Sequence, residues 1–353
     1  MRSLNKYLSV GFLYFYVHFV TEVICFFMLG KYVGTGPEIW VIFLAYDMLA
    51  FVPQAILGYL SDRFRKIPFG LTGLCLLSLS LLLFSRFPSV PFLSLAVLCI
   101  GNACTHVAGA EATLRVSGGR LSHSAIFVSG GSFGVITGKI LSETAVPFWV
   151  LAVLALTAAP FVLLAHLILR ESERVGTASC DKFNYAKKSL GAVFVILLAV
   201  FIVAVRGYMG YGIPTSWKKT VWQSVMLFFA MGFGKAAGGI FADIFGARRV
   251  ALISSVAALP FLMFGDNNIA VSLVGVFLFS MTMAITLGIL VSVLKNSPGL
   301  AFGLTTIGLF LGTAPVFFFR FNSVAANCAI IAALTAVCAA CFLAVMKGDR
   351  VNE

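Results

Sequence analysis

Gly58-Tyr-Leu-Ser-Asp62-Arg63-Phe-Arg65-Lys66 and Gly239-Ile-Phe-Ala-Asp243-Ile-Phe-Gly246-Ala-Arg248-Arg249 are two copies of one short pattern. In each, a glycine is followed four residues later by an aspartate and then by a basic pair. Each copy closes an apolar stretch of about 20 residues, the length that crosses a bilayer as a helix. The copies stand 181 residues apart in a chain of 353, so they mark equivalent places in two halves. A repeat of this kind, set between apolar stretches, is what paired transporter bundles show.

The rest of the chain agrees with that frame. Hydrophobic residues make up 60% and charged residues only 11%, against roughly 25% charged in a soluble domain. A surface this apolar does not stay dissolved, which excludes soluble enzymes, nucleic-acid binders and secreted scaffolds. Breaks at charged, Pro and Gly clusters divide the chain into twelve spans: 8–30, 38–60, 67–86, 90–113, 122–142, 146–169, 189–212, 220–243, 248–265, 268–292, 299–319 and 323–346. The first apolar stretch is too long for a signal-peptide core and no cleavage pattern follows it, so it reads as a span. The one long polar stretch, from Arg170 to Ser189, separates a bundle of six spans (1–170) from a second (189–353), with 171–188 as linker. With the N-terminus inside, 17 Lys and Arg fall on the cytoplasmic side and 5 on the outer side, while Lys139, Arg206 and Lys235 lie within spans. This asymmetry explains the net charge of +12 and predicts both termini in the cytoplasm of a cell membrane, read here as a bacterial inner membrane. Seven of the eight cysteines lie in apolar stretches and read as packing residues; Cys180 alone sits in a polar loop.

The two Gly-x-x-x-Asp copies resemble motif A of the major facilitator superfamily, and both stand where that family carries it. The resemblance extends over the chain through the twelve spans and the basic mid-chain loop. It implies an all-α membrane fold of two six-helix bundles. It also implies a gate role for Asp62 and Asp243, whose carboxylates cap a neighbouring helix, with Gly58, Arg63 and Gly239 as the accompanying gate residues. Ile244 stands where the motif has Arg, which predicts a weaker hold at the second copy. In span four, Gly101-Asn102-Ala-Cys-Thr-His106-Val-Ala-Gly109 is similar to a segment of bacterial members related to the fosmidomycin-resistance branch, which export small compounds against a proton gradient. Span five has Gly130-Gly131-Ser-Phe-Gly134 at the antiporter-motif position but lacks that motif's Gly-Pro pair.

Ionisable groups at membrane depth are costly, so each is a candidate for function. His18 and Glu22 are one helical turn apart and share a face. The repeat offset places Arg206 within a turn of the position opposite Glu22, which predicts that Glu22 and Arg206 face each other across a cavity, either as a substrate and proton site or as a fixed ion pair. The same offset sets Lys235 opposite Gln54, two turns from Asp47. His106 is either a proton carrier or a satisfied bundle histidine. Glu111 with Arg115, and Lys139 with Glu143, have the spacing of local ion pairs. Gly-rich spans seven and eleven read as gate helices or as closely packed ones.

These residues predict a secondary transporter working by alternating access. Glu22, Asp47, His18 and His106 would handle protons, while Arg206 and Lys235 would hold an anionic group, favouring a small organic anion or zwitterion. Protons, a small-molecule substrate and membrane lipid are the expected partners of a monomer. No Walker loop or metal-ligand spacing is present, so no ATP, cofactor, metal or nucleic acid is expected. The alternatives are a proton-driven multidrug or toxic-compound exporter, an uncoupled facilitator and a non-transporting sensor.

Overall fold

The structure is a computed structural model that describes residues 2–32, 39–87, 91–319 and 323–349, with side chains from Ser9 onward except that of Tyr32. Arg2, Lys6, Arg320 and Arg350, all counted in the charge asymmetry, have side chains outside the described ones. Among the described residues, 12 helical segments are long and apolar enough to cross a membrane, and no strand forms. The first half comprises α1 (Arg2–Tyr32), α2 (Ile39–Phe51) and α3 (Pro53–Arg63), which share one span, α4 (Phe69–Arg86), α5 (Pro91–Val116), α6 (Ser122–Ser142) and α7 (Phe148–Arg174). The second comprises α8 (Ala192–Gly212), α9 (Val221–Phe245), α10 (Ala247–Phe264), α11 (Ile269–Ser280) and α12 (Met283–Val293), again one span, α13 (Pro298–Thr313) with a short 3-10 turn at Ala314–Phe317, and α14 (Val324–Val345).

Local chemistry sets these boundaries. Pro53 lacks an N–H and interrupts the ladder between α2 and α3. Thr220 and Gln223 form a reciprocal capping box at the start of α9. Large apolar residues such as Leu156, Phe194, Ile253 and Val324 stay exposed on the outer surface; they face lipid, where they cost nothing.

The halves meet along two seams. In one, α2 and α3 lie against α13; in the other, α6 lies against α9. The first seam is tight enough to require glycine. A Cβ on Gly58 would come within 2.2 Å of the Gly299 carbonyl, and one on Gly303 within 2.3 Å of the Ala55 backbone. On its other side α13 packs against α8, with Gly312 against Ala204. The glycines of span eleven thus pack closely against two neighbours.

The segment between α7 and α8 is a folded strap. Phe183 is fully buried, and Cys180 is buried despite its polar surroundings in the sequence. The strap grips the first half through Ser179 N–H donating to Arg115 O (2.9 Å) and Tyr185 Oη donating to Gly119 O (2.6 Å). It grips the second through Lys187 N–H to Val345 O (2.9 Å), Lys347 N–H to Tyr185 O (2.9 Å) and Lys295 Nζ to Asp181 O (2.8 Å). Burial, and then the nearby Asp243 and Asp349 carboxylates, push the Tyr185 phenol above its ordinary range, so it stays a donor. The side of the molecule carrying this strap is called the linker face below.

Candidate functional site

Two carboxylates close the linker face, one at each seam. Asp62, at the end of α3, accepts from the backbone N–H groups of Gly299 (3.1 Å) and Leu300 (2.9 Å), the first turn of α13. Asp243, at the end of α9, accepts from Leu121 (2.8 Å) and Ser122 (2.9 Å) at the start of α6. Each fills the orphan N–H positions of a helix in the opposite half and meets the positive end of its dipole. The second copy's contacts are as short as the first's. Ile244 does not loosen them, because the hold runs through backbone donors rather than through the side chain at that position. Arg63 is exposed and makes no ion pair among the described residues.

The Asp62 cap carries more charge around it than the Asp243 cap. Arg115 Nη2 donates to Asp62 (3.2 Å) and its Nε to Glu111 (2.8 Å), and Ser61 Oγ donates to the other Glu111 oxygen. All four residues are buried. The Glu111–Arg115 pair foreseen as local is thus the core of a four-residue network joined to Asp62. Asp349 adds a third cap, accepting from the N–H groups of Arg248 (3.1 Å) and Arg249 (2.8 Å) at the start of α10; nothing in the sequence signalled it. Lys139 corrects another expectation: it makes no ion pair with Glu143, and its ammonium lies over the rings of Phe26 (5.5 Å) and Phe228 (5.3 Å).

Inside the first half, α1, α5 and α6 assemble a buried polar cluster. His18 Nε2 is 2.8 Å from His106 Nε2. Glu22 Oε1 is 3.3 Å from His106 Nε2 and 3.8 Å from His18 Nε2. Asn102 Nδ2 donates to Glu22 Oε1 at 3.3 Å and approaches Tyr46 Oη at 3.2 Å. Gly131 and Gly134 of α6 make the room: a Cβ on Gly131 would lie 2.3 Å from His18 Nε2, and one on Gly134 would lie 2.7 Å from Glu22 Cβ. Among the described residues, His18, Glu22 and His106 form the one group of His, Cys, Asp and Glu whose ligand atoms all lie within 4.8 Å of one another. A tetrahedral ion bound at roughly 2.0–2.1 Å by two imidazoles keeps their nitrogens about 3.3 Å apart. At 2.8 Å the pair is a hydrogen bond, and the cluster as built does not fit such an ion.

Glu22 and Arg206, expected to face each other, make no ion pair. Arg206 turns into the second half, stacks its guanidinium over Phe279 (4.3 Å to the ring centroid) and donates to the Phe279 carbonyl. Lys235 on α9 is the cation within electrostatic reach of Glu22. It does not stand opposite Gln54, because α9 packs on α6 rather than on α3; Gln54 instead donates to Ala50 O (2.9 Å). Arg206 and Lys235 are both half-buried and, among the described residues, neither has a carboxylate within 4.0 Å. Asp47 is buried with the Thr313 hydroxyl of α13 as its neighbour and Glu22 within electrostatic reach. Tyr211, at the far end of α8, senses both Asp47 and Glu22. Asp47, Lys235 and Tyr211, contributed by both halves, are thus each within electrostatic reach of Glu22.

No family model and no curated protein matches this sequence. Among solved structures, the chain is similar to the human organic anion transporter MFSD10 (TETRAN), with a TM-score of 0.63 and 15% identity over 97% of this chain and 99% of that one. It is similar as well to the major facilitator superfamily transporter FucP in the outward conformation (0.61, 14%, 96% and 97%). A second structure, of the E. coli fucose:proton symporter FucP, gives 0.59 and 14% over 96% and 95%. The class is therefore settled at the level of fold: this is a multi-pass, all-α membrane protein with the major facilitator fold. Its two halves carry the repeat from which the sequence reading began.

Proposed function

We propose that the protein is a secondary transporter that carries a small organic anion or zwitterion by alternating access, coupled to protons. The observation that carries this reading is the pair of half-buried cations in the second half, Lys235 and Arg206, neither of which has a carboxylate within 4.0 Å among the described residues. A buried cation without a counter-charge is costly, and a bound anion removes that cost. The first half holds the complementary chemistry, two histidines and two carboxylates, which take up and release protons. The seams capped by Asp62 and Asp243 form the gate on the linker face, which we take as cytoplasmic. Lys139, exposed near the other face, adds positive potential that draws anions inward. One structural neighbour is an organic anion transporter and another a proton symporter, which agrees with the proposal.

Flux in proteoliposomes tests it. A panel of labelled organic anions, zwitterions and cations is offered with and without an imposed pH gradient. Anion or zwitterion flux that the gradient accelerates is expected. Equal flux under both conditions would remove proton coupling, and flux confined to cations would remove the assignment of Lys235 and Arg206.

A further inference from the structure

The two histidines of the buried cluster are held in a way that fixes where its protons sit. His18 Nδ1 is 2.9 Å from the Phe127 carbonyl of α6. His106 Nδ1 is 2.9 Å from the Asn102 carbonyl, one turn earlier on α5. A carbonyl oxygen only accepts, so both Nδ1 atoms must carry hydrogen. In two neutral rings that uses every ring proton, and each Nε2 then presents a lone pair. The two Nε2 atoms nevertheless lie 2.8 Å apart, a hydrogen-bond distance at which facing lone pairs repel.

From this geometry we infer that His18 and His106 together hold one extra proton, shared along the Nε2–Nε2 line, while Glu22 remains an anion. The inference rests on the proton-coupled reading above and specifies its carrier. The pair then has three protons on four nitrogens and a charge of +1. Glu22, with its Oε1 at 3.3 and 3.8 Å from the two Nε2 atoms, supplies the balancing charge. Asn102 donates to that same oxygen, which suits a carboxylate rather than a carboxylic acid. The charged or titratable groups facing the cluster are Tyr46 and Asp47 on α2, Cys25 on α1, Lys235 on α9 and Tyr211 on α8. Lys235 is the cation among them, so an anion bound there and a proton held by the histidines balance one another.

Release of the proton is a simple step. The N–H bond breaks, its electron pair returns to that Nε2, and the proton passes to a water molecule admitted when the halves move. Two lone pairs then face each other, and one ring must turn away from its carbonyl. The His106 ring stacks on Phe302 of α13 (6.3 Å between centroids), which also touches Phe127 (6.0 Å). Phe302 is only two residues past Leu300, whose N–H is capped by Asp62. Movement of the His106 ring is thereby passed to the helix that the first gate holds.

The test uses full-length protein in nanodiscs with ¹⁵N-labelled histidine, read by ¹⁵N magnetic resonance across a pH titration. The expected spectrum contains one imidazolium shared by two coupled rings with protonated Nδ1, and a pH change that removes one proton from that pair. His18→Gln and His106→Gln should each abolish the shared signal, whereas His166→Gln leaves it intact. Two neutral rings with protonated Nε2, or an infrared carboxylic-acid band that vanishes in Glu22→Gln, would overturn the assignment. The wild-type spectrum decides even if a variant fails to fold. Gradient-driven anion flux alongside a protonated Glu22 would reject the histidine carrier alone. A shared imidazolium without any solute flux would reject the transport reading alone.

Discussion

Lys235 on α9 has Glu22 in electrostatic reach and, among the described residues, no carboxylate within 4.0 Å. A charge-assisted hydrogen bond to a bound anion contributes about 1.5–3 kcal/mol, so Lys235→Ala should raise the apparent KM for a transported anion roughly ten- to a hundredfold. An unchanged KM in flux assays would place the anion elsewhere. Arg115 represents the opposite situation, a buried cation with two buried anionic partners. Arg115→Leu leaves Asp62 and Glu111 without their counter-charge, a loss of about 3–5 kcal/mol by analogy with broken buried pairs. Thermal unfolding in detergent should register a clear drop, and a melting temperature equal to wild type would show that the network contributes little.

At the scale of elements, the linker face is held by carboxylates on helix starts. A side-chain cap of this kind contributes about 0.5–2 kcal/mol. Asp243→Asn keeps the shape but removes the charge and replaces one of the two accepting oxygens with a donor, so it should shift the population toward a state open on the linker face, by roughly two- to thirtyfold. Spin-label distances between the ends of α6 and α9 report that shift; distributions identical to wild type would remove the gate role of Asp243. The strap between the halves adds a second readout. Cys180 is buried, and burial pushes its thiol up to about 12. Because the thiolate is the reactive form, Cys180 should resist maleimide at neutral pH while the face is closed, and react faster as pH rises toward that value. Gate-weakened variants should label faster at the same pH. Rapid labelling of the wild type at neutral pH would contradict a closed strap.

For the whole molecule, the decisive arrangement is that one half supplies histidines and carboxylates and the other supplies unpaired cations. The two sets lie on helices from different halves that rest on glycine-lined seams, so relative movement of the halves changes their separation and the access of water to each. The proposed alternating access would use such movement. Under that proposal, the caps at the seams α3–α13 and α6–α9 would be strained or broken by a rocking motion, and so would bias the equilibrium between states.

Hydropathy and residue spacing were enough to locate the twelve spans and the two aspartates that cap helix starts. Membrane-spanning segments must be long and apolar, and a helix-capping carboxylate needs only a fixed place at a helix end, so both leave a linear signature. His18 with Glu22 was legible for the same reason, since a helical turn is written in the spacing. The meeting of His18 with His106 was not, nor were the exchange of Arg206 for Lys235 as the cation near Glu22, the turning of Lys139 onto phenylalanine rings and the cap formed by Asp349. Each depends on how far a helix is rotated about its own axis and which neighbour it packs against. The repeat offset aligns positions along two halves but carries no information about that rotation, which side-chain packing at the α1–α6 and α6–α9 contacts determines.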